Sequence, residues 1–307
     1  MPEIRHLLSL NDLSVSEIEA IARRGVSVSR DPGVCGRPLS DRIVGVYFRA
    51  TSTRTRTSFT TAAMRLGAQV VSYGPADLQL NTGETVEDTA RVLSGMLDGL
   101  VARTVGPFHE LRALADQPRM AVVNAMNSDE HPTQALADLT TLLSRFGGLE
   151  GLSLLYAGEG NNTAVALARS LPLFRGVRLE LRTPPGHGLD PVVLAESLAL
   201  AERHGSTVVE RHDMEELPGH VDAVYTTRWQ TTGTTKADPT WRDLFVPFTV
   251  DSALMDRWPA ALFLHDLPAH RGDEVTARVL DGPSSIAFEQ AQNKFNSAVA
   301  VLEWCLA

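Results

Sequence analysis

The sequence is poor in cysteine and lysine and has no long apolar segment. Its 307 residues include only Cys35 and Cys305 as cysteines, and only Lys236 and Lys294 as lysines. Two cysteines far apart, in no metal-ligand spacing, predict free thiols rather than a disulfide framework or a zinc site. No stretch approaches the roughly eighteen apolar residues of a membrane span, and MPEIRHLLSLNDLS has no basic segment before an apolar run. We therefore expect a cytoplasmic protein with neither a membrane span nor a secretory signal.

Net positive charge is also missing. The formal net charge is -9 and the pI is about 5.5. This balance argues against a surface for nucleic acid or for an anionic membrane, because both reward clustered positive charge. Where basic side chains do cluster, we expect them to serve a small, buried anion. Hydrophobic residues make up 43% of the chain, which is enough to bury the cores of two domains.

Short apolar runs alternate with helical patterns along most of the chain. The predicted strands are 43–48, 70–73, 100–103, 121–125, 152–157, 177–181, 223–226 and 261–265. Helical periodicity is found near 15–24, 55–66, 84–98, 132–146, 163–173, 191–203 and 289–306. This alternation predicts an α/β protein with two mainly parallel sheets flanked by helices. We place the domains at residues 1–135 and 136–285, with a C-terminal helix, 286–307, returning to the first domain.

The densest polar cluster lies within RATSTRTRTSF, where Ser52, Thr53, Arg54, Thr55 and Arg56 follow a predicted strand and open a predicted helix. A helix N-terminus offers N–H donors and a partial positive charge. Hydroxyl groups add short hydrogen bonds, and a guanidinium group binds phosphate through two parallel bonds. The cluster predicts a phosphate site. The alternative is a simple helix cap with surface arginines.

Two further strand ends carry side chains of related chemistry. Arg103 ends the predicted strand 100–103, and His131 and Gln134 follow the strand 121–125 in the sequence HPTQ. Pro132 suits the first position of a helix, and the three-residue offset puts His131 and Gln134 on one side of its first turn. Ligands of open α/β sheets bind beyond the carboxyl ends of the strands. His131 taken alone could be structural; as a member of this set it is a candidate functional residue.

These motifs resemble a known family. FRATSTRTRTSF, ART and HPTQALADL resemble the carbamoyl phosphate signatures of the aspartate/ornithine carbamoyltransferase family. DTARVL, AGEGNN, HDLPAHRGDEVT and FEQAQNKF continue the resemblance, which covers roughly residues 40–305 in order. HDLPAHRGDEVT and DTARVLS are closer to the ornithine branch than to the aspartate branch.

The resemblance implies a role for each matching residue. Ser52–Arg56 would bind the phosphate, Thr55, Arg103 and His131 would donate to the carbonyl oxygen, and Gln134 would lie near the carbamoyl amide. Donors aimed at an oxygen that gains negative charge stabilise the transition state. Further residues implied at the carbamoyl phosphate site are Gln79, Leu267 and Lys294. The chemistry implies no metal and no organic cofactor, because the mixed anhydride is already activated.

The loop 77–83, DLQLNTG, corresponds to the family segment that reaches a neighbouring subunit's site. Gln79 matches the glutamine of the ornithine branch, whereas Leu78 and Thr82 stand where the aspartate branch has serine and lysine. The resemblance therefore implies a homotrimer, or a multiple of it, with shared active sites. Lys294 stands where the ornithine branch usually has arginine, a change that keeps the charge but loses the bidentate fork.

The acceptor side departs most from the ornithine branch. Asn162 matches the residue that binds the acceptor's α-carboxylate, but Thr227 replaces an aspartate that pairs with the amine end. Arg228 and Gln230 resemble an Arg-x-Gln of the aspartate branch. Asp266 stands where the ornithine branch has cysteine, and Leu267 would still offer its carbonyl to the amine. Arg228 could instead be a surface residue, and Asp266 could make only a structural hydrogen bond.

This mixture leads to a main interpretation and three alternatives. We expect a carbamoyltransferase for an unusual amine, such as a short diamino acid or a precursor in antibiotic biosynthesis, with Asp266 holding the amine. The first alternative is an ordinary ornithine carbamoyltransferase, and the second is a catalytically silent homologue kept as a regulatory or scaffolding subunit. The third is a dinucleotide-binding site, with Gly158 and Gly160 in the phosphate loop and Glu180 binding the ribose. This alternative is weakened because Thr163 occupies the position of the third glycine of that motif.

Overall fold

A computed structural model describes residues 4–231 and 235–307 and divides into two compact units. The first unit runs to Arg145 and includes Gln292–Ala307, and the second is Phe146–Ala291. The division falls about ten residues beyond the expected boundary at 135. The reason is that Pro132–Phe146 forms one continuous helix, which stays with the first unit up to Arg145.

The first unit contains a sheet of four parallel strands in the order β2-β1-β3-β4. Its strands are β1 (Ile43–Phe48), β2 (Gln69–Tyr73), β3 (Gly99–Arg103) and β4 (Ala121–Asn124). Its α-helices are α1 (Val15–Arg30), α2 (Arg54–Arg65), α3 (Val86–Leu93), α4 (Phe108–Ala115) and α5 (Pro132–Phe146). Short 3-10 helices span Leu10–Asp12, Pro32–Cys35 and Gln79–Thr82. β3, an inner strand, is buried throughout, as expected when both faces are covered. β4 lies at the edge of the sheet and is also buried, with Leu7 forming a bridge to its Val123.

The second unit contains a sheet of five parallel strands in the order β7-β6-β5-β8-β9. Its strands are β5 (Ser153–Ala157), β6 (Arg178–Arg182), β7 (Thr207–Arg211), β8 (Ala223–Thr226) and β9 (Leu262–His265). Its α-helices are α6 (Asn162–Ser170), α7 (Pro191–His204), α8 (Trp241–Phe245), α9 (Ser252–Met255) and α10 (Ala277–Leu280). Short 3-10 helices span Leu171–Leu173 and Val246–Phe248.

The C-terminal helix α11, Ala287–Leu306, begins in the second unit and continues into the first. Within the first unit, Asn293 Nδ2 donates to Thr141 Oγ1 at 3.0 Å, and Glu303 forms an ion pair with Arg24 at 2.6 Å. These bonds attach the end of the chain to α5 and α1. No helix in the described ranges is long and apolar enough to cross a membrane.

The predicted fold class is confirmed, and all eight predicted strands overlap observed ones. The prediction missed β7, α4 and the short helices α8, α9 and α10. β7 is an edge strand whose burial alternates weakly, and its sequence TVVER ends in two charged residues, so it lacks the continuous apolar run of the inner strands. α4 buries only Leu111 and Leu114, which is too short a pattern to establish a helical period.

Candidate active site

The Ser52–Arg56 cluster lies at the carboxyl end of β1 and opens α2. Thr53 is the N-cap residue of α2, and its side chain makes no capping hydrogen bond. The hydroxyl of Thr53 therefore stays available for another partner at a helix start that attracts anions. Thr55 is buried, while Ser52 and Arg54 are half-buried. Arg56 is exposed, and its Nη2 donates to Ser72 Oγ of β2 at 2.7 Å, so the structure directs this guanidinium toward the neighbouring strand.

Arg103 and His131 are buried at the same edge of the sheet, at the end of β3 and in the loop after β4. Burial, followed by the positive charges of Lys294 and Arg103, holds the pKa of His131 well below its usual 6.5. The imidazole is therefore neutral at pH 7. His131 Nδ1 lies 3.3 Å from Thr133 Oγ1. A neutral imidazole at this edge can donate one hydrogen bond without adding a charge.

Gln134 and Lys294 form one hydrogen-bonded chain in the first unit. The Lys294 ammonium donates to Gln134 Oε1, and Gln134 Nε2 donates to Asp138 Oδ1 at 2.7 Å. All three side chains are buried. The carbonyl of Gln134 faces Lys294, and its amide group points to Asp138. The sequence motifs that contain Gln134 and Lys294 are far apart in the chain, and the structure brings the two side chains together.

Gln79 lies in the 3-10 helix Gln79–Thr82 and is exposed, with its Oε1 accepting from Thr82 Oγ1 at 2.8 Å. Leu78, the residue before it, is buried in the core of the first unit. The segment is therefore anchored by one side chain while the next points outward.

In the second unit, Asn162 is the first residue of α6 and is buried. Asn161 caps the helix, since its Oδ1 accepts from the N–H groups of Thr163 and Ala164 at 3.0 and 3.2 Å. Its Nδ2 reaches Thr227 Oγ1 at 3.5 Å. The cap thus links the end of β5 to the end of β8, the neighbouring strand.

Asp266 follows β9, and two hydroxyl groups hold its carboxylate. Oδ2 accepts from Thr163 Oγ1 at 3.1 Å and from Thr227 Oγ1 at 3.3 Å. Thr227 is buried, and the Asp266 side chain is 17% exposed. Sequence reasoning placed Thr227 and Asp266 in the acceptor site, and the structure joins them. It missed Thr163, whose hydroxyl at the start of α6 could have been weighed as a donor.

Arg228 and Gln230 lie in the segment after β8 and are half-buried. Arg228 Nε donates to the carbonyl of Gln230 at 2.8 Å, so the two residues shape one local turn. Leu267 has a backbone φ of +52°, and its N–H donates to His265 Nδ1 at 2.8 Å. The first bond fixes the backbone after β8, and the second fixes the backbone after β9, next to Asp266.

His265 and Glu274 are both fully buried below Asp266. His265 Nε2 lies 3.1 Å from Glu274 Oε1, which also accepts from the N–H of His270 at 2.5 Å. Because Nδ1 accepts from Leu267, Nε2 carries the proton and donates to Glu274. His270, Asp273 and Glu274 offer ligand atoms within 4.8 Å of one another, so they are the residues that could hold a metal ion here. The hydrogen bonds to Glu274 account for this arrangement.

The structure gives the glycine turn after β5 a packing role. A Cβ at Gly160 would lie 2.3 Å from the backbone carbon of Gly188, so this position requires glycine for close contact between two loops. Glu180, the expected ribose ligand of a dinucleotide site, is buried and pairs with Arg182 at 2.6 Å and with Arg178 at 2.6 Å. Both features of the dinucleotide alternative therefore have structural explanations.

Comparisons with known proteins identify the family of the chain. Residues 5–144 match the family described as aspartate/ornithine carbamoyltransferase, carbamoyl-P binding domain, and residues 150–305 match its Asp/Orn binding domain. The ornithine carbamoyltransferase of Acidothermus cellulolyticus is 39% identical over 305 residues, which is 99% of this chain and 97% of the relative. That of Symbiobacterium thermophilum is 37% identical over 306 residues, covering 99% and 98%.

Solved structures give the same result. The ornithine carbamoyltransferase from Pyrococcus furiosus has a TM-score of 0.93 at 34% identity, covering 99% of this chain and 97% of that chain. The one from Gloeobacter violaceus has a TM-score of 0.86 at 35% identity, covering 99% and 100%.

The chain therefore belongs to the aspartate/ornithine carbamoyltransferase family, as the motifs predict, and is a carbamoyltransferase. Within the family it is on the ornithine side, since the relatives above carry that name over nearly the full length of the chain.

Proposed function

We propose that the protein transfers the carbamoyl group of carbamoyl phosphate to the side-chain amine of ornithine, forming citrulline and phosphate. The observation that carries this proposal is the similarity, over 99% of the chain, to proteins named ornithine carbamoyltransferase. The comparisons thus favour the ordinary acceptor over the unusual amine that the sequence motifs suggested. We further propose that it acts in the cytoplasm, where the free Cys35 and Cys305 stay reduced.

The proposed roles on the first unit follow the order of its strand ends. Ser52, Thr53, Arg54 and Thr55 hold the phosphate, with the α2 N-terminus contributing its N–H groups. Arg56, which the sequence placed in this set, is left out because its guanidinium bonds to Ser72 of β2. Arg103, Thr55 and neutral His131 donate to the carbonyl oxygen as it gains negative charge. Gln134, held by Lys294, orients the carbamoyl amide. The departing phosphate accepts the proton that the attacking amine loses.

The proposed roles on the second unit concern the amine substrate. Asn162 binds its α-carboxylate, and the carbonyl of Leu267 orients the attacking nitrogen. Asp266 pairs with an ammonium group or accepts its proton. Arg228 and Gln230 shape the loop beside them.

A second candidate acceptor is supported by one observation, the exchange of a carboxylate between strand ends. The aspartate expected after β8 is Thr227, while Asp266 after β9 carries a carboxylate that Thr227 and Thr163 hold in place. A carboxylate that follows β9 instead of β8 would contact the ammonium group of the substrate at a different position. This arrangement suits another amine, such as a shorter diamino acid or an antibiotic precursor.

An amine panel separates the two candidates. Phosphate release from carbamoyl phosphate is measured with ornithine, lysine, 2,4-diaminobutyrate, 2,3-diaminopropionate, aspartate and putrescine. The ornithine proposal predicts saturable turnover with a kcat/KM for ornithine above that of every other amine. A higher kcat/KM for another diamine would transfer the proposal to the second candidate. Absence of amine-dependent release with all six would overturn both.

We also propose a homotrimer with shared sites, because exposed Gln79 matches the family residue that reaches a neighbouring subunit. Three chains of 33.3 kDa give a particle of roughly 100 kDa by sedimentation. Mixing subunits of the Gln79→Ala and Arg54→Ala variants tests the sharing of sites. An activity of the refolded mixture well above the sum of the two variants' activities would support shared sites. An activity equal to that sum would contradict them.

A further inference from the structure

Lys236 makes a buried ion pair that none of the motifs anticipates. It lies in the second unit, in the segment between β8 and α8, and its ammonium is bonded to Glu159 Oε1. The two side chains are 9% and 18% exposed. Glu159 belongs to the turn between β5 and α6. The pair therefore joins two loops that the sequence places about 77 residues apart.

Aromatic rings enclose this pair. Lys236 Nζ lies 5.2 Å from the centre of the Trp241 ring and 5.0 Å from that of Phe245. The Trp229 ring packs on Phe245 with 5.5 Å between the centroids. The ammonium is thus held by one carboxylate and by the faces of two aromatic rings, an arrangement in which cation–π attraction is strengthened by desolvation.

His187 completes the enclosure. Its ring lies 4.9 Å from that of Phe245, and its Nδ1 is 3.8 Å from Glu159 Oε1. Burial and then the charge of Lys236 lower the pKa of His187. The histidine is neutral at pH 7, so Lys236 is the cation that neutralises Glu159.

The pair is connected to the proposed acceptor residues through the backbone on both sides. The carbonyl of Glu159 accepts from Tyr156 Oη at 2.5 Å and from the N–H of Asn161 at 2.8 Å. Asn161 precedes Asn162 and reaches Thr227. On the other side, Trp229 of the aromatic enclosure lies between Arg228 and Gln230 in sequence.

A buried ion pair is weak evidence for stability, because its desolvation can cost as much as the attraction returns. Breaking one by removing a partner costs much more, since a buried charge is left alone. A pair of this kind is better suited to fixing one loop arrangement. Here the two loops that it joins are those that carry Asn162 and the Thr227–Gln230 segment.

We propose that Lys236 and Glu159 are positioning residues that set the affinity for the amine substrate. By joining the β5–α6 turn to the segment after β8, they hold Asn162, Thr227 and Arg228 in the arrangement that receives the acceptor. Neither residue belongs to the set proposed to bind the phosphate or to contact the reacting atoms. This inference rests on the proposed carbamoyl transfer but not on which amine is used.

The test compares Lys236→Met, Glu159→Gln and the double variant with the wild type. A misplacement of about 1 Å costs up to about 100-fold in catalysis, so each single variant should raise the KM of the best amine about 10- to 100-fold. The affinity for carbamoyl phosphate, measured by calorimetry without amine, should stay within about twofold. The double variant should be no worse than the poorer single variant, because the two changes remove one interaction. Lys236→Arg, which keeps the charge, should recover part of the amine affinity.

The matched control is Arg211→Met, which removes a cation from a more exposed ion pair of the same unit; both KM values should remain those of the wild type. Amide hydrogen exchange gives a readout independent of turnover. Exchange should accelerate at residues 158–164 and 226–231 in both single variants and stay unchanged elsewhere in the unit. Wild-type exchange at these residues, an unchanged amine KM, or equal losses for both substrates would overturn the inference. A wild type without amine-dependent turnover would instead refute the proposed function.

Discussion

The two sheet edges handle charge in opposite ways. At the carboxyl edge of the first sheet, basic side chains lie together. Burial, followed by the positive charges of Lys294 and Arg103, lowers the pKa of His131 there. In the second unit, the buried cations are matched with carboxylates, as in Arg182 with Glu180 and Lys236 with Glu159.

The difference teaches what each edge is for. Basic side chains that lie close together attract an anion, so the first edge is suited to bind a phosphate group. Ion pairs and hydroxyl groups fix the loops at the second edge without leaving a large net charge there. The second edge is therefore suited to select among amines. The first edge keeps the family motifs. At the second edge the carboxylate belongs to Asp266, after β9, whereas the ornithine branch has it after β8, where this chain has Thr227. Five predictions test this contrast, from the largest expected effect to the smallest.

The first prediction tests whether the buried ion pairs of the second unit stabilise its fold. Arg182 is 1% exposed and donates to Glu180, Asp213 and the carbonyls of Glu215 and Glu216. Arg182→Met should lower the free energy of unfolding by about 3–5 kcal/mol, measured by urea unfolding and tryptophan fluorescence. The control Arg211→Met, at a more exposed ion pair, should cost less than about 1 kcal/mol. Equal losses in the two variants would contradict a structural role specific to Arg182.

The role of the first edge depends on Arg54. Replacing it with alanine should lower the rate of carbamoyl phosphate turnover by about 10²- to 10³-fold, because a charge-assisted donor at the phosphate is lost. The circular dichroism spectrum should not change. Arg65→Ala, at the other end of the same helix, is the matched control and should keep full activity. Turnover of Arg54→Ala at the control's rate would rule out the assigned site.

The acceptor role of the second edge depends on Asp266. Asp266→Asn keeps the shape but removes the charge, so kcat/KM for the amine should fall about 10- to 100-fold, the loss expected for a charge-assisted contact. The affinity for carbamoyl phosphate should stay the same. Thr163→Val removes one hydrogen bond to this carboxylate and should cause a smaller loss. If both variants match the wild type in amine kinetics, Asp266 makes only a structural hydrogen bond.

The double variant Thr227→Asp with Asp266→Cys restores the carboxylate to the end of β8, as in the ornithine branch. It should raise the preference for ornithine over shorter diamines if the carboxylate position selects the amine. The ratio of kcat/KM values for ornithine and 2,4-diaminobutyrate measures this preference. An unchanged ratio would assign the selection to other residues.

The smallest effect concerns pH and stability. His131 has a folded pKa well below its usual 6.5, so below that pH the unfolded chain binds a proton that the folded chain does not. The free energy of unfolding should therefore fall as pH drops from 6.5, by at most about 1.4 kcal/mol per unit from this group. Urea unfolding at pH 5.5 and 7.5 should show a weaker dependence for His131→Asn. An equal pH dependence in both proteins would contradict the neutral, buried state.

Much of the first edge could be predicted from the sequence. A strand followed by Ser-Thr-Arg-Thr-Arg and a helix places those groups at a helix start by local geometry alone. Arg103 and His131 belong to other strands, but parallel pairing brings strand ends to one edge, so their proximity also follows from the pattern. The prediction could not say that Arg56 bonds to Ser72, because that contact depends on the neighbouring strand's register.

The second edge was harder to predict. Its family positions could be aligned, and Thr227 and Asp266 were recognised as departures. The contact between Thr163 and Asp266 could not be predicted, because the two residues follow different strands and a hydroxyl group has many possible partners. Lys236 carried one weak signal, since it is one of two lysines in the chain, yet its partner Glu159 could not be identified without the fold.

The amino-acid sequence by itself determined the α/β class, the order of the strands along the chain and the family, because apolar periodicity and short motifs are local properties of neighbouring residues. The tertiary structure alone decided which polar side chains meet in its interior, namely Lys294 with Gln134, 160 residues apart, and Lys236 with Glu159, 77 residues apart. Those pairs form between residues distant in the chain, and their strength depends on how completely the fold excludes water around them.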